Sequence, residues 1–348
     1  ALSCRKLANC CRKAKPSRPN AAITSACADV MDVAVREPST LANGSITPVI
    51  ALPAVTGPLC GFLVIDKPAG CTSHDCVSKA RRALGTRKVG HGGTLDPAVT
   101  GVLPLAVGPA TRLLPYLDGG KEYLGTIQLG LRTNSDDLSG EVLEQQDWPS
   151  LSQAELDRQL QPFRGLIQQR PPAVSAVHVD GERAHTRARR GEQLLLASRA
   201  VTIEQLDLMR WDPSTGQLDI KLRCSAGTYV RSLARDLGDQ LGCGGALAQL
   251  RRTAALGFTL EASLPLEALG PETALSNPLT ALAHLPQQRI SEEQWLAWTR
   301  GQRLPLEGPE QPEESALVML RPDGSLAGMA RTRSDGLLQP KLVFDAAG

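Results

Sequence analysis

The sequence predicts an α/β (α+β) body followed by a smaller β-rich domain, and three observations support this prediction. Patterns typical of strands are interspersed with amphipathic helical patterns between residues 61 and 253. From residue 287 onward, short strand-like runs are separated by turns such as Pro322-Asp323-Gly324. The length of 348 residues is enough for two domains and an extension, since one domain usually takes about 100–200 residues.

Charge is distributed unevenly along the chain. The formal net charge is +2, but residues 1–27 contain six Lys or Arg residues and no Asp or Glu. Of the 38 basic residues, 32 remain outside this segment, against 36 acidic residues. Because the rest of the chain is not basic overall, it can bind nucleic acid only through local basic patches.

Residues 1–57 are predicted to form a disordered N-terminal extension, because they show no sustained hydrophobic period. Their basic, Ser-rich and acid-poor composition is typical of a transit peptide, and a plain disordered leader is the alternative. We expect a cytoplasmic protein of bacterial type, or an organellar one if the extension is a transit peptide. Prolines interrupt the uncharged stretch 38–65 and argue against a membrane span, and the nine cysteines show no zinc spacing.

The first elements of the body are predicted from residues 61–85. Gly61 to Ile65 is a short buried strand, and Thr72 is the N-cap of a helix with Asp75 completing a capping box. Gly85 ends this helix. Basic residues on the helix and at its exit indicate either a solvated face or a surface that contacts phosphates: Lys79, Arg81, Arg82, Arg87 and Lys88.

Two more strands and a second helix are predicted further along. The segment 121–131 is a strand with Tyr123 near its start, and 218–225 alternates strictly between apolar and polar residues. Thr228 is the predicted N-cap of a helix whose buried stripe contains Val230, Leu233, Leu237 and Leu241. We interpret the polar turn 133–140 as structural, because it lacks the ligand spacing of a calcium loop.

The segment Gly90–Gly101 is the first candidate for chemistry. It contains four glycines, one imidazole and the Asp96 carboxylate, and an apolar strand follows at 102–107. Pro97 biases Asp96 away from helix and places its side chain on an extended or turning backbone. A carboxylate on a glycine-rich loop beside a core strand is suited to catalysis, and a turn in which the Asp caps the backbone is the alternative.

Arg231 and a run of basic residues at 183–190 are the other candidates for a functional role. Arg231 is predicted in the first turn of a helix, where the helix dipole disfavours a cation, so an anionic partner is expected. A surface arginine is the alternative. The densest basic run of the body lies at 183–190, and it is either a solvated helix face or a loop that grips RNA. We favour the RNA loop, because the body as a whole is acidic.

Several separated motifs, taken together and in order, resemble those of the TruB family of tRNA pseudouridine synthases. The resemblance covers roughly residues 60–345 and also includes Leu250-Arg251-Arg252. Its other motifs are Gly61-Phe62-Leu63-Val64-Ile65-Asp66-Lys67-Pro68, the Gly90–Gly101 loop, Lys121-Glu122-Tyr123, Gln169-Arg170-Pro171-Pro172 with Ser175-Ala176, and Gly227-Thr228-Tyr229-Val230-Arg231-Ser232-Leu233.

The resemblance implies a function and a role for each matching residue. The family isomerises uridine to pseudouridine at position 55, in the TΨC arm of tRNA, without a cofactor or metal. Asp96 matches the catalytic aspartate, Tyr123 the ring that stacks on the flipped base, and Arg231 the arginine that pairs with the aspartate. Substrate-binding roles are expected for His91, Tyr229, Arg183, Arg187, Arg189, Arg190 and Arg251. Whether Asp96 attacks the ribose or acts as a base stays open.

The resemblance also implies a fold and a domain organisation. The fold is a mixed, mainly antiparallel sheet with helices and a cleft across it, followed by a small PUA-like β domain. We expect the catalytic domain at 58–285, with an RNA-binding insertion near 168–200, and the PUA-like domain at 286–348. Val174, His185 and the turn at 133–136 depart from the family pattern, which affects expectations about RNA affinity more than about the reaction.

Other functions remain as alternatives. The protein is either a monomeric enzyme acting on tRNA, a pseudouridine synthase acting on another RNA, or a non-catalytic RNA-binding or RNA-folding module. The joint presence of Asp96, Tyr123 and Arg231 argues against the non-catalytic module. A hydrolase for small molecules is disfavoured, because no second carboxylate or metal cluster accompanies Asp96.

Overall fold

The computed structural model describes residues 59–344 apart from 176, 180, 191 and 193–195, so the predicted N-terminal extension lies outside the described residues. The described strands, in chain order, are β1 (Gly61–Lys67), β2 (Val89–His91), β3 (Thr100–Val107), β4 (Lys121–Leu129), β5 (Leu131–Thr133), β6 (Val142–Gln145), β7 (Gly165–Gln169), β8 (His178–Val179), β9 (Glu182–Arg183), β10 (Arg199–Asp212), β11 (Gln217–Cys224), β12 (Gly245–Ala255), β13 (Phe258–Thr259), β14 (Leu264–Pro265), β15 (Gln287–Arg289), β16 (Leu304–Pro305), β17 (Ala316–Leu320), β18 (Leu326–Thr332) and β19 (Leu337–Val343). The α-helices are α1 (Ser73–Ala83), α2 (Gln153–Leu160), α3 (Ala184–Arg189), α4 (Val230–Gln240), α5 (Pro278–Ala281) and α6 (Glu292–Thr299).

The main sheet of the described part has ten strands and is mixed but mainly antiparallel, which confirms the expected fold class. Its principal order is β14-β1-β3-β12-β4-β11-β10-β7, with β2 added to β3 and β13 added to β12. Two neighbouring pairs, β1–β14 and β3–β12, are parallel. The β3–β12 contact is short and places Gly101 beside Arg252, so the end of the glycine-rich loop lies next to the basic end of β12.

Two helices start beside the predicted site. Thr72 is the N-cap of helix α1, and its capping box with Asp75 is present as predicted. Helix α4 buries Val230, Leu233 and Leu237 in an apolar cluster that includes residues of β4, β10, β11 and β12. The predicted N-cap of α4 is wrong by one residue, because Tyr229 is the cap and no side chain caps the helix. Gln169 instead holds the Tyr229 backbone, accepting from its N–H at 2.8 Å and donating to its carbonyl at 3.1 Å.

A second sheet contains five strands in the order β15-β17-β18-β19-β16, as expected for a small β-rich unit. Trp298 of α6 is fully buried against this sheet, and its indole N–H donates to the Ala327 carbonyl at 3.0 Å. Val318, Met329 and Phe344 of this part share an apolar cluster with Phe62 and other residues of the main sheet. The boundary between residues 285 and 286 stays a prediction.

Candidate active site

The cavity that contains Asp96 has a volume of about 730 Å³. It lies where the β2–β3 loop meets the start of β4 and the N-terminal ends of α1 and α4. Its lining includes Thr72, Ser73, His74, His91, Thr94, Leu95, Asp96, Pro97, Val99, Lys121, Tyr123, Val174, Ser175, Gly227, Thr228, Tyr229, Val230, Arg231 and Leu250. The three predicted catalytic residues therefore surround one cavity.

The loop that carries Asp96 is fixed on both sides of the carboxylate. The Ser73 hydroxyl, at the start of α1, donates to the Leu95 carbonyl at 3.1 Å and accepts from its N–H at 2.8 Å. On the other side, the buried Lys67 ammonium donates to the Pro97 carbonyl at 3.2 Å. Gly101 ends the loop at φ +104, where a Cβ would lie 2.1 Å from the Arg252 carbonyl oxygen. The close approach of β12 therefore requires glycine there.

Asp96 forms an ion pair with Arg231, as the resemblance implies. The Asp96 Oδ2 atom lies 2.9 Å from Arg231 Nη2, and the Arg231 side chain is only 8% exposed against 44% for Asp96. The guanidinium also donates to the Ser135 and Val174 carbonyls, each at 3.0 Å. A buried cation fixed by two backbone carbonyls provides a rigid partner for a carboxylate that faces the cavity.

The polar turn at 133–140 contributes to this site, which the sequence interpretation missed. Asp137 Oδ2 lies 3.7 Å from Arg231 Nε, and Asp136 pairs with Arg235 one helical turn further along α4, at 2.8 Å. Consecutive acidic residues thus engage two arginines on one face of the helix. An i, i+4 arginine pair opposite an Asp-Asp dipeptide is the sequence signal that could have revealed this contact.

Tyr123 lies on the cavity wall near the start of β4 and is only 6% exposed. Burial raises the pKa of Tyr123 above its usual value, and the Arg252 guanidinium opposes this rise. Arg252 pairs with Tyr123 across the β4–β12 ladder and has no exposed surface. It donates from Nε to the Val102 carbonyl at 2.7 Å and from Nη2 to the Gly93 carbonyl at 3.1 Å.

His91 and Tyr229, two of the expected substrate-binding residues, also line the cavity. The His91 Nδ1 atom accepts a hydrogen bond from the Gly93 N–H at 3.3 Å, so this nitrogen is unprotonated. Burial lowers the pKa of His91, and the positive charge of Arg252 lowers it further. Both effects favour the neutral form of the His91 imidazole.

The remaining predicted substrate-binding residues are arginines, and those whose side chains are described have acidic partners. Arg251 makes a two-pronged ion pair with Asp66, at 3.0 and 2.7 Å. Arg187 pairs with Glu192 at 2.7 Å, and Arg190 pairs with Glu182 and Glu192 at 2.7 and 2.9 Å. The side chains of Arg183 and Arg189 lie outside the described residues.

Neither a metal cluster nor a membrane helix is found in the described part of the chain. Among these residues, no group of three or more His, Cys, Asp or Glu side chains is arranged to hold a metal ion. Within the same ranges, no helix combines the length and the apolar character needed to cross a membrane. The expectation that no cofactor is needed stays a prediction.

Two solved structures have a fold similar to that of this chain. A structure described as an H/ACA RNP bound to a substrate RNA containing 2'-deoxyuridine has a TM-score of 0.63 and 23% identity, and the match covers 82% of this chain and 85% of that one. An archaeal box H/ACA sRNP Nop10-Cbf5 complex gives a TM-score of 0.62 over a similar span. The fold is that of the pseudouridine synthases.

The chain belongs to the TruB family of pseudouridine synthases. Residues 81–230 match the model described as TruB family pseudouridylate synthase (N terminal domain), and residues 231–278 match the tRNA pseudouridylate synthase B C-terminal domain. The tRNA pseudouridine synthase B of Parasynechococcus marenigrum (strain WH8102) is 61% identical over 292 residues, covering 83% of this chain and 98% of that protein. That of Synechococcus sp. (strain WH7803) is 58% identical, covering 84% and 100%.

Proposed function

We propose that this protein isomerises uridine 55 of tRNA to pseudouridine, with Asp96 as the catalytic carboxylate. One observation carries the proposal: Asp96 faces the cavity while Arg231, almost fully buried, holds it at 2.9 Å. The relatives named tRNA pseudouridine synthase B support the choice of substrate, because the chain covers nearly their whole length.

The reaction needs a carboxylate at the sugar and room for one extruded nucleotide. The glycosidic bond is inaccessible in a stacked loop, so the target uridine must be flipped into the cavity. The uracil is released from C1′, turned, and rejoined through C5. A carboxylate is a competent covalent nucleophile at a sugar carbon, and it can also act as a base. Both roles use the same Asp96 oxygen atoms.

Arg231 is proposed to position Asp96 rather than to contact the base. Its two hydrogen bonds to the Ser135 and Val174 carbonyls fix the guanidinium before RNA binds. The Asp137 carboxylate lies 3.7 Å from Arg231 Nε and helps to orient the same guanidinium. Catalysis benefits when charged groups are fixed in advance, because no reorganisation is then needed during the reaction.

Tyr123 is proposed to stack on the flipped base and to take part in proton transfer at the sugar. Its ring lies on the wall of the cavity that Asp96 also lines. Tyr229 is proposed as another wall of the pocket and His91 as a contact to the RNA around the flipped nucleotide. All three line the cavity.

Binding of the tRNA backbone is proposed to involve the arginines at 183–190 and Arg251. In the free protein Arg187, Arg190 and Arg251 pair with glutamate or aspartate side chains. A phosphate would therefore replace a carboxylate partner instead of meeting a free guanidinium. We further propose that the protein acts as a monomer in the cytoplasm, or in an organelle if residues 1–57 direct it there.

The direct test is incubation of the purified protein with an unmodified tRNA transcript, followed by mapping of pseudouridine. We expect modification at position 55 by the unchanged protein. Asp96→Asn should abolish it while tRNA affinity changes by less than about tenfold, because one hydrogen bond contributes roughly 1 kcal/mol. Asp157→Asn is a matched control, since that aspartate is 42% exposed and pairs with Arg164 away from the cavity.

Three results would contradict the proposal in different ways. Pseudouridine at another position would indicate a different RNA target. Tight tRNA binding without any pseudouridine would indicate the RNA-binding or RNA-folding module. Turnover by the Asp96→Asn protein near the rate of the unchanged protein would remove Asp96 from the mechanism.

A further inference from the structure

Lys121 is a cation without an assigned role on the cavity wall. It is the first residue of β4, and its side chain is partly buried. Among the described residues, none forms a hydrogen bond or an ion pair with the Lys121 ammonium. On the neighbouring strands, Cys224 and Ala255 lie beside Lys121. Burial and the nearby Arg252 both lower the pKa of Lys121. A poorly solvated cation facing a cavity indicates that an anionic ligand is bound there at some stage.

A second cation lies beside Lys121 and is also without a carboxylate. Arg252 is fully buried and donates to two carbonyl oxygens, while its Nη1 atom finds no hydrogen-bond partner in the described part of the chain. A Cβ built on Gly93 would lie 3.5 Å from Arg252 Nη1 and 3.7 Å from Lys121 Nζ. The two positive groups therefore converge on the bare backbone of Gly93. Asp96 does not neutralise them, because it pairs with Arg231.

The position of Lys121 along β4 places it where the base is expected. Lys121 and Tyr123 are two residues apart on one strand, so their side chains leave the same face with about 6.5–7 Å between Cα atoms. If the uracil stacks on the Tyr123 ring, the ammonium lies within reach of an edge of that uracil. Because Lys121 is partly buried on the same wall as Tyr123, we take the base, and not a phosphate, as the neighbour of its ammonium.

We propose that Lys121 is a further catalytic residue, whose ammonium stabilises the negative charge that the uracil acquires when its bond to the ribose breaks. This inference rests on the proposed function. The C1′–N1 bond breaks and its electron pair stays on the uracil, as charge shared by N1 and O2. C1′ then bonds to C5, the C5 proton is lost, and N1 gains a proton. The step is an isomerisation and requires no other reactant.

Substrates that differ in the leaving ability of the base test this proposal. We would measure single-turnover breakdown of the N-glycoside in a tRNA stem-loop that carries uridine or 5-fluorouridine at the target position. Fluorine withdraws electrons, so fluorouracil leaves with less help from a cation. Lys121→Met should slow uridine about 100-fold, the size typical of losing one charge-stabilising group. It should slow 5-fluorouridine by a clearly smaller factor.

The control variants separate a catalytic role from structural or binding roles. Lys121→Arg keeps the charge and should recover most of the rate. Lys221→Met removes a lysine from the neighbouring strand β11, next to Leu124 and outside the cavity, and should leave both rates unchanged. Thermal melting checks folding, and Lys121→Gln supplies a second, polar replacement if the Met variant melts early.

Three outcomes would overturn the proposal. An unchanged uridine rate in Lys121→Met would show that the ammonium does not act in the reaction. Equal slowing of uridine and 5-fluorouridine would place its effect outside bond breaking. A loss confined to RNA affinity, with a weaker salt dependence, would identify Lys121 as a phosphate contact. Absence of pseudouridine with the unchanged protein would instead contradict the proposed function itself.

Discussion

The first turn of α4 and the basic helix α3 use arginine in opposite ways. Arg231 in α4 is 8% exposed and is fixed by two backbone carbonyls as well as by Asp96. In and just after α3, Arg187 and Arg190 have side chains that are 23% and 54% exposed and pair with nearby glutamates. The density of basic residues in a sequence therefore does not identify the arginine that is built into the site.

The energetic difference between the two regions follows from burial. Exposed ion pairs contribute little to stability, because solvent and salt screen them. The Asp96–Arg231 pair is screened less than those near α3, because the Arg231 side chain is almost fully buried although Asp96 is 44% exposed. Substitutions at the buried site should thus reduce the rate of reaction, whereas substitutions near α3 should change tRNA affinity and its salt dependence.

Apart from loss of Asp96 itself, substitution of Tyr123 is expected to reduce the reaction rate most. Tyr123→Phe keeps the ring and removes the hydroxyl, and should slow the reaction by about 10²–10⁴-fold if that hydroxyl transfers a proton. Tyr123→Leu removes the ring as well, and should also weaken productive binding by roughly ten- to a hundredfold, since base stacking contributes about 1–3 kcal/mol. Single-turnover kinetics and tRNA titration separate these effects.

Two results would revise the role of Tyr123. Near-normal turnover by the Phe variant would leave stacking as its only function. Lower thermal stability in both variants, with no defect specific to turnover, would indicate that the buried ring supports the core of the sheet.

A smaller effect is expected from the basic run. Changing Arg183, Arg187, Arg189 and Arg190 together to Ala should weaken tRNA binding and reduce its salt dependence by about 0.7–0.9 for each lost phosphate contact. Glu192→Gln is the complementary variant, because this glutamate occupies both Arg187 and Arg190 in the free protein. It should strengthen binding if those arginines contact phosphates. An unchanged salt slope in the quadruple variant would identify the run as a solvated surface.

Local sequence signals predicted the elements that position the site better than they predicted its contacts. The capping box at Thr72 and the glycine-rich loop before β3 depend on neighbouring residues, so they could be recognised directly. The contact between Asp137 and Arg231 joins segments far apart in the chain, and only the fold brings them together. The same reason explains why the turn at 133–140 was interpreted as purely structural.

Two other differences arise from contacts that form only when the chain folds. Thr228 has the chemistry of an N-cap, but Gln169 holds the Tyr229 backbone and the helix starts one residue later. The arginines at 187 and 190 looked available for RNA because the sequence alone does not show that Glu182 and Glu192 fold back onto them. Gln169 lies 60 residues before Tyr229, and Glu182 and Glu192 lie only two to eight residues from their arginines, but in both cases the folded backbone decides which polar groups meet.

The most direct test of this comparison measures rate and affinity side by side for Arg231→Gln and for the double variant Arg187→Gln/Arg190→Gln. We predict that Arg231→Gln lowers the single-turnover rate at saturating enzyme by roughly 10²–10³-fold, the loss typical of removing one group that is fixed in advance beside the reacting charge. Its Kd for tRNA should stay within about tenfold. The double variant should keep its rate within about threefold while its Kd rises. An Arg231→Gln protein that reacts at the unchanged rate, or a double variant that loses as much rate, would contradict the account.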